Sequence, residues 1–230
     1  MKQPKSGLIE LQYLGPVQYF AWLHTLDEVW LEQCENYQKG SYRNRCHILG
    51  ANGVLRLTIP LKNGRNSGVP IREVEIAYDE DWQSQHWHSI QSAYGKSPFF
   101  DYYADELRAF YARKERFLFD FNFGLFEFIK DCLPISCSIK LTESFLPPGR
   151  VSKERSPEDR RNSIHPKKHR QKSDEHFMAA PYWQVFEEKH GFVPNLSILD
   201  LLFCTGPEAG YFLEKSMEKP SSEPESGGIK

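Results

Sequence analysis

The stretch from residue 8 to residue 33 constrains this chain most. Leu8–Leu14 reads as a short strand, Gly15-Pro16 breaks it, Val17–Thr25 carries Tyr19, Phe20, Trp22 and Leu23 as a short helix, and Glu28–Gln33 alternates around Val29 and Leu31 as a second strand. A strand, helix, strand order joins parallel strands through a crossover. The expected class is therefore α/β, with a mixed or mostly parallel sheet and flanking helices. The loop after the first strand of such a unit commonly meets ligand. Here it holds Gly15, Pro16 and Gln18 without a glycine-rich phosphate signature, so little is read into it.

The elements that follow fit that class. Cys46–Leu49 and Leu55–Leu61 flank Asn52-Gly53, a dipeptide suited to the positive backbone angles of a hairpin turn. Ile71–Tyr78 alternates well enough for another strand, and Ile135–Leu141 and Tyr182–Phe186 read as short ones. Helical spacing is expected from Trp82, over Asp101–Arg113 with Tyr103, Leu107, Phe110 and Tyr111, and over Phe117–Cys132. Aromatic stripes at this spacing are read as core. A further helix is capped by Asn195 or Ser197, and Gly206-Pro207 separates it from a last one over Glu208–Glu214.

Three polar clusters stand out from this framework. In Asp81–Tyr103, DWQSQHWHSIQSAYGKSPFFDYY, the spacing of Trp82, His86, Ile90 and Ala93 puts a histidine on an inward helix face, with Tyr94 and Lys96 at the following break. A histidine there is a satisfied core residue or a general base, since its pKa of about 6.5 lies near working pH. In YRNRC, Arg43 and Arg45 flank Asn44, and the guanidinium fork matches carboxylate or phosphate. Solvated arginines in a surface loop are the alternative. In PNLSILD, Asp200 shares a face with Leu196, Leu199 and Phe203, beside Asn195. A carboxylate among apolar neighbours must be hydrogen-bonded or paired, for structure or for catalysis.

Composition narrows the function classes. The net charge of −2 gives no global field towards nucleic acid or an anionic membrane. Residues 147–176 are locally basic, with nine Lys or Arg against five Asp or Glu and almost no apolar residues, and are expected to form a long mobile loop. Nucleic-acid binding there is a minor alternative, because aromatic interleaving is missing. His165, His169 and His176 lack the acidic or cysteine pattern of a metal site, so no metal ligand is assigned. The five cysteines show no CxxC spacing, no stretch approaches a bilayer span, and the N-terminus has no secretory pattern, so a cytoplasmic protein is expected. A single domain over 7–215 and a disordered tail over 216–230 complete the organisation.

With these segments placed, the chain resembles the WbqC-like protein family of bacteria. The resemblance is carried by LQYLGPVQYFAWL, YRNRC with its hairpin ending LTIPL, IREVEI, the Asp81–Tyr103 stretch and GFVPNLSILDLLFCTGPEA. The variant is similar to those of Bacteroidetes-type bacteria, through Glu32–Lys39 and Asp159–Lys168. The resemblance implies a role near surface-polysaccharide genes such as those for O-antigen, as a transferase of glycine or another acyl group to a sugar or similar anionic small molecule. It also implies that Arg160, Arg161, His165, Lys167 and Lys168 belong to a lid that orders over substrate. The expected site has His86 and Asp200 as catalytic residues, and Arg43, Asn44, Arg45, Tyr94, Lys96, His165, Lys167 and Asn195 as substrate-binding residues. The expected partner is a small molecule, a nucleotide sugar or a glycan intermediate, and no cofactor is assigned. The alternative is a noncatalytic glycan- or partner-binding protein of cell-envelope assembly.

Overall fold

The computed structural model describes residues 4–64, 66–147 and 157–217. In chain order its strands are β1 (Ser6–Glu10), β2 (Glu28–Glu32), β3 (Arg45–Gly50), β4 (Gly53–Thr58), β5 (Ser138–Leu141) and β6 (Glu158–Asp159). Its α-helices are α1 (Val17–His24), α2 (Trp82–Tyr94), α3 (Phe100–Tyr111), α4 (Leu118–Cys132), α5 (Glu187–His190), α6 (Ile198–Thr205) and α7 (Ala209–Lys215). Four strands make one parallel sheet in the order β5-β2-β1-β6, with Leu8 opposite Trp30 on one side and Asp159 on the other. β3 and β4 form a separate antiparallel hairpin. The expected α/β class and hairpin are both present.

The crossover between β1 and β2 is short because α1 lies very close to the sheet. A side chain on Gly7 would place its Cβ 2.3 Å from the Trp22 ring and 2.6 Å from Leu26, inside van der Waals contact. Every residue of α1 from Val17 to Leu23 is buried. The other wall of the core comes from α4, whose Phe126 stacks on Phe20 at 6.2 Å between ring centroids.

Several boundaries differ from the sequence expectation for identifiable reasons. β1 stops at Glu10, because Tyr13 donates its backbone N–H to Tyr42 and Leu14 takes a positive φ of 43°. In the hairpin, Gly53 alone takes the positive φ, at 105°, and Ala51-Asn52 forms the turn. Ile71–Tyr78 is not a strand. Ile71–Glu73 is a 3₁₀ turn after Pro70, and Glu75 and Ile76 make only isolated bridges to Phe117 and Leu61. Tyr182–Phe186 pairs with no strand, since the side chains of Tyr182 and Gln184 are drawn to Asp200 instead.

The basic segment departs furthest from expectation. From residue 157 it is anchored to the sheet: β6 pairs with β1, the Arg160 N–H donates to Leu8 O at 2.9 Å, and Ile164 is buried. Polar anchors do here what apolar residues do elsewhere. Residues 148–156 of that segment, and 218–230 of the expected tail, lie outside the described residues. Ser216 is buried, and its hydroxyl accepts from the Ala180 N–H.

The packing against Gly7 generates a test. Gly7→Ala should lower stability by about 1–3 kcal/mol, the usual cost of overpacking a filled core. The readout is a lower urea midpoint at unchanged m-value; a wild-type midpoint would mean that α1 can retreat from the sheet.

Candidate functional site

In open α/β sheets ligands gather beyond the carboxyl ends of the strands. At that edge β1 and β2 end in Glu10 and Glu32, which are 1% and 0% exposed. Buried carboxylates need partners. Glu32 accepts from Thr142 Oγ1 at 2.7 Å, from the Cys34 N–H at 2.9 Å and from Arg161 Nη1 at 2.7 Å. Arg161 also grips Asp159 through Nε at 2.9 Å and Nη2 at 2.6 Å, and donates to Leu146 O at 2.6 Å. One guanidinium thus ties β2, the segment after β5 and the segment after β6 together.

A second buried pair lies alongside. Arg43, fully buried, donates to both oxygens of Glu35 at 2.7 and 2.6 Å. Burial pushes the Glu35 carboxyl up, against the pull of Arg43, and nearby Glu10 and Glu32 push it further. Burial opposes the charge on Arg43, but Glu10 and Glu35 outweigh it and hold the guanidinium protonated. Burial also opposes ionisation of Asp159, yet Arg161 holds its carboxyl below the usual range.

Between these groups opens a cavity of 830 Å³ whose liners include Glu35, Tyr37, Phe145, Asp159, Arg161, Asn162 and Lys172, with Asn36 and Gln38 beside them. A second cavity of 370 Å³ shares Asp159 and Lys172 and is bounded by Gln18, Arg160 and Asp174. Arg160 bridges Glu158 at 2.6 Å and Asp174 at 2.5 Å, and Asp174 accepts from Gln18 at 3.1 Å.

The residues expected from sequence fall into separate places. None of the expected catalytic or substrate-binding residues lines the 830 Å³ cavity, whereas Arg161, expected in a lid, does. Arg43 reaches it indirectly, as the partner of Glu35. Asn44 donates to Ile59 O at 2.9 Å, and half-buried Arg45 sits near Arg56 and Tyr37, with burial and Arg56 lowering its pKa. His165 is buried and its Nδ1 accepts from the Lys167 N–H at 3.0 Å; burial and Arg170 lower its pKa. Lys167 is exposed, with its Nζ against Gly40. Lys96 is exposed in the turn after α2. Asn195, at φ 57°, accepts the Gln18 N–H at 2.9 Å, while Leu196 O accepts that of Val17. The N-terminus of α1, where an α/β protein can hold phosphate, is therefore closed by the chain itself.

His86 and Asp200 are both in the interior. His86 Nδ1 shares a hydrogen bond with Tyr13 Oη at 2.9 Å, and that hydroxyl shares another with Tyr111 at 2.7 Å. Trp82 packs edge-on to the imidazole at 5.0 Å. Burial depresses its pKa to about 4, partly offset by the Thr58 backbone. Asp200 Oδ2 accepts from Tyr182 Oη at 2.8 Å and Gln184 Nε2 at 2.7 Å. Burial raises its pKa to about 6, against the effect of Tyr182, Gln184 and Tyr94. Tyr94 is itself core, with its ring 5.3 Å from Phe203.

Glu35, Tyr37, Asn162 and Lys172 are among the cavity liners that the sequence expectation does not name. A signal was present: Glu32–Lys39 and Asp159–Lys168 were singled out as segments, and they contribute most of the lining. Carboxylates closing two consecutive apolar strands were the other.

These features define a mixed α/β protein with a cavity at the carboxyl edge of a parallel sheet. The sequence profile of the WbqC-like protein family matches residues 12–211, and the chain belongs to that family. It is similar to the uncharacterized protein Rv1507c of Mycobacterium tuberculosis (strain ATCC 25618 / H37Rv), with 26% identity over 111 residues. That match spans 48% of this chain and 48% of the relative, so the chain covers about half of the relative's length. No solved structure matches the chain. Among the described residues no helix is long and apolar enough to cross a membrane.

The two shifted interior groups make opposite contributions to stability as pH changes. His86, with its folded pKa depressed to about 4, loses stability as pH falls from its unfolded value of about 6.5 towards 4. Asp200, with its folded pKa raised to about 6, gains stability as pH falls from about 6 to its unfolded value near 3.9. Asp200→Asn removes the second contribution. Its stability should therefore fall more steeply than wild type between pH 6 and 4, by about 2–3 kcal/mol across the window. Urea unfolding at each pH reads this directly, and parallel curves would show that Asp200 titrates normally.

Proposed function

We propose that this protein is a group-transfer enzyme acting on a polar, anion-bearing small molecule at the carboxyl edge of the sheet. The specific reading is transfer of glycine or another acyl group to an amine or hydroxyl of a sugar or similar molecule. The observation that carries it is the 830 Å³ cavity in which Glu35, its pKa raised by burial, stands with Tyr37, Asn162 and Lys172. Raised carboxylates in polar clefts suit proton transfer near neutral pH. The base is therefore placed at Glu35 rather than His86, whose ring nitrogens face Tyr13 and the Thr58 backbone.

In this reading Lys172 meets the anionic part of the ligand, and Asn36 and Gln38 offer amides to its hydroxyls. The nucleophile's nitrogen or oxygen forms the new bond to the acyl carbon as the bond to the donor's leaving group breaks. Glu35 takes the proton from the nucleophile and passes it to the leaving group. The anionic partner of a nucleotide sugar or glycan intermediate fits the same chemistry.

One observation favours the noncatalytic alternative. Both Glu35 oxygens are already held by Arg43, which suits a fixed binding wall better than a proton carrier. Turnover separates the two. Mass spectrometry of the protein incubated with nucleotide sugars and activated acyl or glycyl donors should show transfer, reduced about 10²-fold or more in Glu35→Gln. Because that change leaves Arg43 buried without its counter-charge, Lys172→Ala is the companion variant. Lys172 is exposed, so the fold should hold while KM rises about tenfold at similar kcat. Ligand binding without turnover would establish the alternative.

A further inference from the structure

Around Glu10 are polar side-chain atoms that no described residue satisfies. They are Gln12 Oε1, Asn162 Oδ1 and Arg43 Nη1. Gln12 and Arg43 are 3% and 0% exposed, and Asn162 lines the cavity. Gln12 and Asn162 flank Glu10: Gln12 Nε2 donates to Glu10 Oε1 at 2.9 Å, and the Asn162 N–H donates to Oε2 at 2.8 Å.

Glu10 differs from its neighbours in charge balance. Glu32 and Glu35 each touch a guanidinium, from Arg161 and Arg43. Among the described residues Glu10 accepts hydrogen bonds from neutral donors only, while Arg43 and His165 act on it electrostatically without a hydrogen bond. By direct contact Arg161 serves Glu32 and Asp159 and Arg43 serves Glu35, so Glu10 is left without an ion pair of its own. A buried carboxylate without a counter-charge is costly, and so is an amide oxygen buried without a donor. An ammonium answers these two, with a positive charge and three N–H donors, and leaves the Arg43 Nη1 donor to another group.

We propose that the carboxyl end of β1 is a subsite for the primary ammonium of a small molecule bound in the cavity. Glu10 supplies the counter-charge, and Gln12 Oε1 and Asn162 Oδ1 accept its N–H groups. Asn162 holds φ 57°, a left-handed conformation that asparagine tolerates, and its backbone N–H stays on Glu10. The proposal rests on the same cavity as the transfer reading and deepens it by giving one substrate a free amine. Amino acids and amino sugars share that chemistry.

Titration calorimetry of the full chain distinguishes the sources. The probes are glycine, N-acetylglycine, glucosamine, N-acetylglucosamine and magnesium chloride. A free amine should bind, and its acetylated counterpart about tenfold more weakly or not at all; which pair responds tells amino acid from amino sugar. Asn162→Gly suits the left-handed backbone and keeps the N–H on Glu10. It should weaken amine binding by about tenfold, the effect of losing a hydrogen bond to a charged group, at a near wild-type melting temperature. Glu10→Gln should abolish amine binding. Equal affinity for blocked and free amines, binding of magnesium in place of the amine, or no amine binding would overturn the subsite. Amine binding without acyl transfer leaves the subsite standing and removes the transfer reading. Transfer that is unchanged in Asn162→Gly and Glu10→Gln does the reverse.

Discussion

The fork of Arg161 is the interaction on which the carboxyl edge of the sheet depends. Its guanidinium contacts Glu32 at the end of β2, Asp159 at the end of β6 and Leu146 beyond β5. Those strands cannot hold that edge by hydrophobic contact, because β6 is two residues long and its surroundings are polar. The planar, always-charged guanidinium can do so, since it offers five donors in fixed directions. A buried ion pair of this kind adds little net stability, but losing one partner costs about 3–5 kcal/mol. What it secures is position: the segment from residue 157 is set over the strand ends in one register.

That arrangement explains which parts of the molecule the sequence reveals and which it hides. The strand, helix, strand opening follows from local pattern, because β1, α1 and β2 are consecutive and each buries an apolar face. The basic segment looks mobile because apolar residues are nearly absent from it, and hydropathy cannot see that Arg161 will meet Glu32, 129 positions away. The alternation over Tyr182–Phe186 is real, but a carboxylate on α6 captures it rather than a neighbouring strand. Local pattern reports which way side chains face, and partners distant in sequence decide what they face.

The same distinction governs the site. The reading of Arg43 as a clamp for a carboxylate has the right chemistry, and the carboxylate turns out to be internal, eight residues upstream at Glu35. Helical spacing correctly puts His86 on an inward face. It cannot say that Tyr13 and Trp82 wait there, or that burial will hold the ring neutral. The cavity itself is built mainly from residues 34–38 and 159–172, with Gly68 and Phe145, segments far apart in sequence.

The closure of the α1 N-terminus has a consequence for recognition. In many α/β proteins the first free N–H groups of this helix bind phosphate, because they are unsatisfied and carry partial positive charge. Here Asn195 and Leu196 take those N–H groups, so the usual backbone anion site is spent on tying α6's entry loop to α1. Under the proposed reading a ligand at this edge would meet side chains instead, the carboxylates and amides around Glu35 and Asn162 and exposed Lys172. Side-chain recognition of that kind discriminates between functional groups, since each buried acceptor penalises a ligand that lacks the matching donor. Under the same reading the selectivity of this cavity depends on its buried charge balance, to which Arg161 and Arg43 contribute through their pairs with Glu32, Asp159 and Glu35.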